Sequence, residues 1–257
     1  MGSISLATGA GGYYGYGSVM RSWLFAISFY GTTAVMAILY LPLMVLPRRI
    51  FLRLCLVWVR MMLALIQSIL GIRYELRGVE NCPEGTAIYA SKHQSSWDVL
   101  IYNLLIEDCA YVLKRELYRI PLWGWYVWRL GSIGINRSGG ARVLKDMVEQ
   151  TKAVLSQGRS IIVFPQGTRT PVGEAHPYLP GTAALYLGTG VPVVPVALNS
   201  GVFWPRRTFR KSPGLITVEF LPPIAPGLNR RDFLKRLEEQ IETATARLEQ
   251  EALDRPQ

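Results

Sequence analysis

His93, Gln94, Ser95, Ser96, Trp97 and Asp98 set an imidazole and a carboxylate in one short segment with four residues between them. This pairing suits a general base held by an orienting acid. Two positions five apart on a single helix lie about 140° apart around its axis, so their side chains face apart. Contact between His93 and Asp98 therefore requires His93 in a turn and Asp98 in the first turn of the helix after it, with the chain folding back between them. A second reading uses the same residues. Ser95-x-x-Asp98 is also a helix-start pattern, in which hydroxyl and carboxylate satisfy free backbone N–H groups. The residues by themselves leave both readings open.

Two further loops carry groups suited to an anionic ligand. Arg137 follows a strand-like stretch at 132–136, and Pro165-Gln166-Gly167-Thr168-Arg169 follows the apolar run 160–164. The planar guanidinium fork donates two parallel hydrogen bonds to a phosphate. Gly167 permits close approach of backbone N–H groups, and Thr168 adds a hydroxyl. Singly, Arg137 reads equally well as a surface ion pair and Gly167 as an ordinary turn. Together with His93 they describe a cleft for an anionic substrate whose hydroxyl must lose a proton.

These side chains must be positioned by strands. Residues 86–90 form the apolar run that delivers His93. Further strands are expected at 73–77, 110–113, 132–136, 160–164, 191–198 (interrupted by Pro192 and Pro195) and 215–220. Helices are expected at 96–105, 139–157 with Gly158 as its stop, 181–187, and 230–253 with Asn229 as N-cap. Strands alternating with helices imply an α/β fold: a mixed, largely parallel sheet flanked by helices. In such sheets the carboxyl ends of the strands share one edge, where ligands bind.

The N-terminal part differs in character. Half of the 257 residues are hydrophobic, and the excess is concentrated early, with no charged residue between Ser22 and Pro47. Residues 23–46 are long enough to cross a hydrocarbon core of roughly 30 Å as a helix. Pro42 and Pro47 interrupt that helix, and residues 50–72 form a second apolar stretch carrying Arg53 and Arg60. We expect a disordered leader at 1–19, a two-helix membrane anchor at 20–72 and a catalytic domain at 73–257; the other reading of 50–72 is a core helix of the globular domain. Arg48, Arg49 and Arg53 follow the apolar segment while Arg21 alone precedes it, which places the large C-terminal part in the cytoplasm. The net charge of +10 favours anionic lipid, and no nucleic-acid motif accompanies it. Trp123, Trp125, Tyr126 and Trp128 beside Arg129, and the cluster Trp204, Arg206, Arg207, Phe209, Arg210 and Lys211, read either as membrane-facing patches or as, respectively, aromatic core and solvated loop. Cys55, Cys82 and Cys109 have neither disulfide nor zinc spacing.

Four blocks in order carry a resemblance: His93 to Asp98 as H-x-x-x-x-D, Gly134-Ile135-Asn136-Arg137, Phe164-Pro165-Gln166-Gly167-Thr168-Arg169, and Val191-Pro192-Val193-Val194-Pro195-Val196. Lys114-Arg115-Glu116-Leu117 lies between the first two. Over residues 73–220 the chain resembles the 1-acyl-sn-glycerol-3-phosphate acyltransferase family. The resemblance implies His93 as general base and Asp98 as its orienting partner, with the acceptor phosphate held by Lys114, Arg137 and Arg169 beside Gly167 and Thr168. It implies a fatty acyl chain moving from acyl-CoA or acyl carrier protein to the 2-hydroxyl of lysophosphatidic acid at a membrane, with no metal or bound cofactor. Gln166 stands where the family has glutamate, Asn136 where it often has aspartate, and Leu179 where many relatives have lysine. These departures bear on the acceptor: another lysolipid, such as a lyso-ornithine lipid, is the alternative substrate, and a non-catalytic lipid-binding role is the alternative of a different class.

Overall fold

The computed structural model describes residues 16–136 and 140–255. Seven strands, β1 (Ile72–Arg77), β2 (Ile88–Ser91), β3 (Ala110–Lys114), β4 (Ile133–Ile135), β5 (Ile161–Val163), β6 (Val193–Leu198) and β7 (Gly214–Phe220), form one sheet in the order β1-β7-β6-β2-β5-β3-β4. All neighbours pair in parallel except β6 with β7. The sheet is thus mixed and largely parallel, and the carboxyl ends of β2, β5, β3 and β4 share one edge.

Helices cover both faces. Side chains alternate along a strand with period two, so each central strand feeds two cores. Ile88, Ala90, Ile161, Val163 and Val193 face α5 (Gly140–Leu155), α6 (Pro180–Thr189) and α8 (Arg230–Asp254). Tyr89, Ile162, Val194, Val196 and Val218 face the opposite core, which includes α2 (Arg48–Leu65) and α3 (Trp97–Leu105). Burial on both faces is why these strands read as continuous apolar runs. Gly158 takes a left-handed φ of 75° just past α5, and Asn229 caps α8 by accepting from the N–H groups of Arg231 and Asp232 at 3.0 Å. The two short helices are α4 (Trp123–Arg129) and α7 (Ser200–Phe203).

The N-terminal apolar stretch folds as a hairpin. α1 (Tyr16–Tyr40) ends two residues before Pro42, a 3-10 turn (Pro42–Val45) reverses the chain, and α2 begins directly after Pro47. The two prolines therefore mark a reversal rather than a kink within one long helix. α1 begins inside the stretch expected as a leader; residues 1–15 lie outside the described residues. α1 and α2 with its continuation to Leu70 are each long and apolar enough to cross a membrane by length and composition.

Both ends of the hairpin are tied to the domain. At the bend, Arg129 donates to the carbonyls of Met44 (2.9 Å) and Leu46 (2.5 Å), Tyr126 donates its hydroxyl to the carbonyl of Ala37, and Arg48 makes a two-pronged ion pair with Asp108 at 2.5 Å. At the open end, Phe25 packs edge-on to Trp204 and Trp23 lies 4.6 Å from Phe209, ring to ring. Phe25, Val59, Met62, Ile66 and Leu70 are buried in the same core as the sheet, while Trp23, Ile27, Tyr30, Val35 and Ile38 on α1 are exposed. A helix of this length spans about 37 Å. α1 runs that distance along the domain, with Ser22, Phe25 and Tyr40 buried and most of its apolar side chains exposed or half-buried.

Candidate active site

β2 ends at Ser91, and the turn after it carries His93 at the carboxyl edge of the sheet. Asp98 lies in the first turn of α3 and is fully buried. Its Oδ2 accepts from three donors: His93 Nδ1 at 2.8 Å, Gln94 N–H at 2.8 Å and Ser95 N–H at 2.9 Å. Ser95 Oγ in return accepts from the N–H of Trp97 at 3.2 Å. The two readings of this segment are therefore both realised: one carboxylate closes the turn before the helix and also fixes the imidazole. Two backbone donors beside His93 are used by Asp98, so an oxyanion must draw its donors from elsewhere.

The ring is held on a second side. Phe164, at the end of β5, stacks on His93 with centroids 4.0 Å apart and planes 19° apart. With Nδ1 on Asp98 and the side chain 14% exposed, Nε2 remains for a substrate. Which nitrogen carries the proton follows from that contact: the Nδ1–H donates to the carboxylate, leaving the Nε2 lone pair to accept.

The loop after β5 closes over the same turn. Thr170 donates its N–H (2.8 Å) and its hydroxyl (3.2 Å) to the carbonyl of His93. Arg169 Nη1 donates to Ser96 Oγ at 2.6 Å, which sets the guanidinium on the His93 to Asp98 segment. Arg206 in turn donates to the carbonyl of Arg169 at 2.9 Å. Gly167 has a φ of 64°, the left-handed conformation that favours glycine, and its N–H bonds the carbonyl of Phe164 at 2.8 Å. That N–H thus serves the turn. Thr168 is half-buried within the same loop.

Lys114 ends β3, is exposed, and lies at the same sheet edge. β5 separates β3 from β2, so two strand spacings, about 10 Å, part the two strand ends. The structure thus brings His93, Asp98 and Arg169 together and puts Lys114 on the same rim. Arg137 lies outside the described residues.

Sequence reasoning missed a carboxylate from the far end of the chain. Glu242 on α8 accepts from Lys92 Nζ at 2.6 Å, Tyr178 hydroxyl at 2.8 Å and Gln166 Nε2 at 3.1 Å. Lys92, the residue before His93, is 1% exposed. Gln166 consequently points into the protein, where its amide donates to a carboxylate; a glutamate there would set two carboxylates against each other. Two helical turns further along, Glu249 accepts from Gln94 Nε2 at 2.5 Å and from the N–H of Gly173 at 3.0 Å. The seven-residue spacing of Glu242 and Glu249 on a helix was the available signal, since it puts both on one face.

The Acyltransferase family profile matches residues 73–199. The 1-acyl-sn-glycerol-3-phosphate acyltransferase of Pseudomonas aeruginosa is 40% identical over 165 residues, 64% of each chain. The alpha form of the human enzyme of that name is 33% identical over 168 residues, 64% of this chain and 59% of the human one. The chain thus spans less than two thirds of the length of either relative. The crystal structure of the 1-acyl-sn-glycerophosphate acyltransferase of Thermotoga maritima superposes with a TM-score of 0.71 at 23% identity, over 89% of this chain and 97% of that one, and shows the shared fold. His93, Asp98 and the loop bearing Arg169 all fall within residues 73–199, the span over which this chain is similar to the Acyltransferase family.

Proposed function

We propose that the protein is an O-acyltransferase that transfers a fatty acyl group from acyl-CoA or acyl carrier protein to the 2-hydroxyl of 1-acylglycerol-3-phosphate, giving phosphatidic acid. The contact between His93 Nδ1 and Asp98, beneath a loop that lays Arg169 over the same turn, carries this reading. Nε2 takes the proton of the acceptor hydroxyl as its oxygen attacks the thioester carbonyl. The resulting tetrahedral intermediate collapses, the C–S bond breaks, and the imidazolium returns the proton to the departing thiolate. Asp98 stabilises the imidazolium while it exists. Arg169, with Lys114 on the rim, Gly167 and Thr168 in the loop, and Arg137 from the segment that follows β4 in sequence, holds the acceptor phosphate. No serine or cysteine nucleophile is needed on this route.

The hairpin fits a lipid acceptor. Residues 20–72 act as the membrane anchor of a catalytic domain at 73–257, and because α1 is fastened to the domain near both ends, the anchor lies in the interface instead of crossing it. Arg53 and Arg60 are exposed on α2, as expected for a helix facing headgroups. The domain then sits on the cytoplasmic face of the cell membrane, the inner one in a bacterium.

Purified protein supplied with one acyl thioester and a panel of lysolipids tests the reading. Transfer to lysophosphatidic acid in preference to lysophosphatidylcholine and lyso-ornithine lipid is the expected result. Preference for an acceptor without a phosphomonoester overturns the assigned substrate, and absence of transfer to every acceptor overturns the enzyme.

A further inference from the structure

Residues 204–211 hold Arg206, Arg207, Arg210 and Lys211, and among the described residues none of the four is ion-paired. Two of these cations are engaged inside the protein. Arg206 bonds the carbonyl of Arg169, and Lys211 Nζ sits over the rings of Trp204, Phe209 and Phe25 at 5.0, 5.7 and 5.8 Å. Arg207 and Arg210 are exposed and have no protein acceptor among the described residues.

The loop is fixed where it would meet a bilayer. The N–H of Lys211 donates to Ser22 Oγ at 3.3 Å, and Phe209, 41% exposed, packs on Trp23, 58% exposed. Two cations therefore flank a pair of exposed rings at the open end of an apolar helix. Rings at the acyl boundary with guanidinium groups at phosphate level match an anionic phospholipid in both chemistry and depth. An acidic protein surface would match the charges and leave the rings and the outer face of α1 uncovered.

We propose that residues 204–211 form a binding site for the phosphate groups of anionic phospholipid, read by Arg207 and Arg210, and joined by Arg206 to the backbone of Arg169. This rests on the reading of the hairpin as an interfacial anchor. The connection means that lipid bound at the loop steadies the carbonyl next to the guanidinium that grips the acceptor.

Flotation of the full chain with vesicles tests the site without requiring activity. One set is phosphatidylcholine alone, and the other is equal parts phosphatidylcholine and phosphatidylglycerol. The variant is Arg207→Asn with Arg210→Ala, because Arg207 has a φ of 60° and asparagine tolerates that conformation. At about 1 kcal/mol per basic group near an anionic surface, the variant should bind the anionic vesicles about 30-fold more weakly and the neutral ones as the parent does. Salt should weaken binding of the parent to anionic vesicles only, an independent measurement that needs no variant. Equal binding of the parent to both sets, or an anionic preference that survives the substitutions, overturns the loop site while the anchor stands. Binding to neither set overturns the anchor and the site with it. Loss of transfer from an acidic carrier protein in the variant, with vesicle preference intact, assigns the loop to protein docking and overturns the lipid reading.

Discussion

His93 Nδ1 lies 2.8 Å from Asp98 Oδ2, and that same oxygen holds the N–H groups of the two residues that follow the histidine. Orientation of the ring and closure of the turn therefore depend on one atom. Asparagine at 98 keeps an acceptor for the backbone but brings no charge to the imidazolium.

Asp98→Asn and His93→Ala should each lower kcat by about 10²–10⁴-fold, the usual weight of a positioned base. Steady-state transfer with lysophosphatidic acid measures this, and thermal melts should show His93→Ala folded. Near-parental kcat in His93→Ala would remove the base assigned here.

Arg169→Ala removes the guanidinium that lies on Ser96. A charge-assisted hydrogen bond to phosphate contributes about 1.5–3 kcal/mol, so KM for lysophosphatidic acid should rise about 10–150-fold. KM for an acceptor lacking phosphate should not change. An equal rise for both acceptors would place Arg169 in a structural role.

Glu242→Ala leaves Lys92 buried without its carboxylate, and breaking such a pair costs about 3–5 kcal/mol. The melting temperature should fall steeply. Lys92→Met should cost less, because Glu242 is partly exposed and keeps Tyr178 and Gln166 as donors. The reverse order in melting temperatures would contradict the contacts described.

Asp108 ties the hairpin bend to the sheet through Arg48 and Arg159. Burial alone would raise its pKa, but the hydrogen bond from Arg48 and the charge of Arg159 outweigh burial and hold it below the ordinary carboxylate value. Its contribution is therefore complete above the unfolded-state pKa and is lost as pH falls through the folded one. Asp108→Asn should lower the melting temperature at pH 7, and the gap should close under acid. A gap independent of pH would mean that shape, not charge, holds the bend.

The strands, the turn bearing His93 and the loop bearing Arg169 were legible because each is local: an apolar run, then polar residues with a glycine. The contact to Asp98 was legible for the same reason, being five residues long. Glu242 and Glu249 were not, because they reach the turn from about 150 residues away and sit in a helix that reads as polar and amphipathic throughout. Gln166 looked like a lost charge at the site; only the position of Glu242 shows that its amide faces inward. The apolar N-terminus announced two helices, but that they lie along the domain follows from Arg129, Tyr126 and Arg48, whose partners no periodicity could name.

The link between the Arg169 loop and the catalytic turn runs through Thr170 N–H to the main-chain oxygen of His93, with the threonine hydroxyl as a supplement. A main-chain tether survives replacement of neighbouring side chains. Residue 169 can therefore be exchanged without displacing the imidazole, so on the proposed mechanism headgroup selectivity and proton removal are separable targets for redesign.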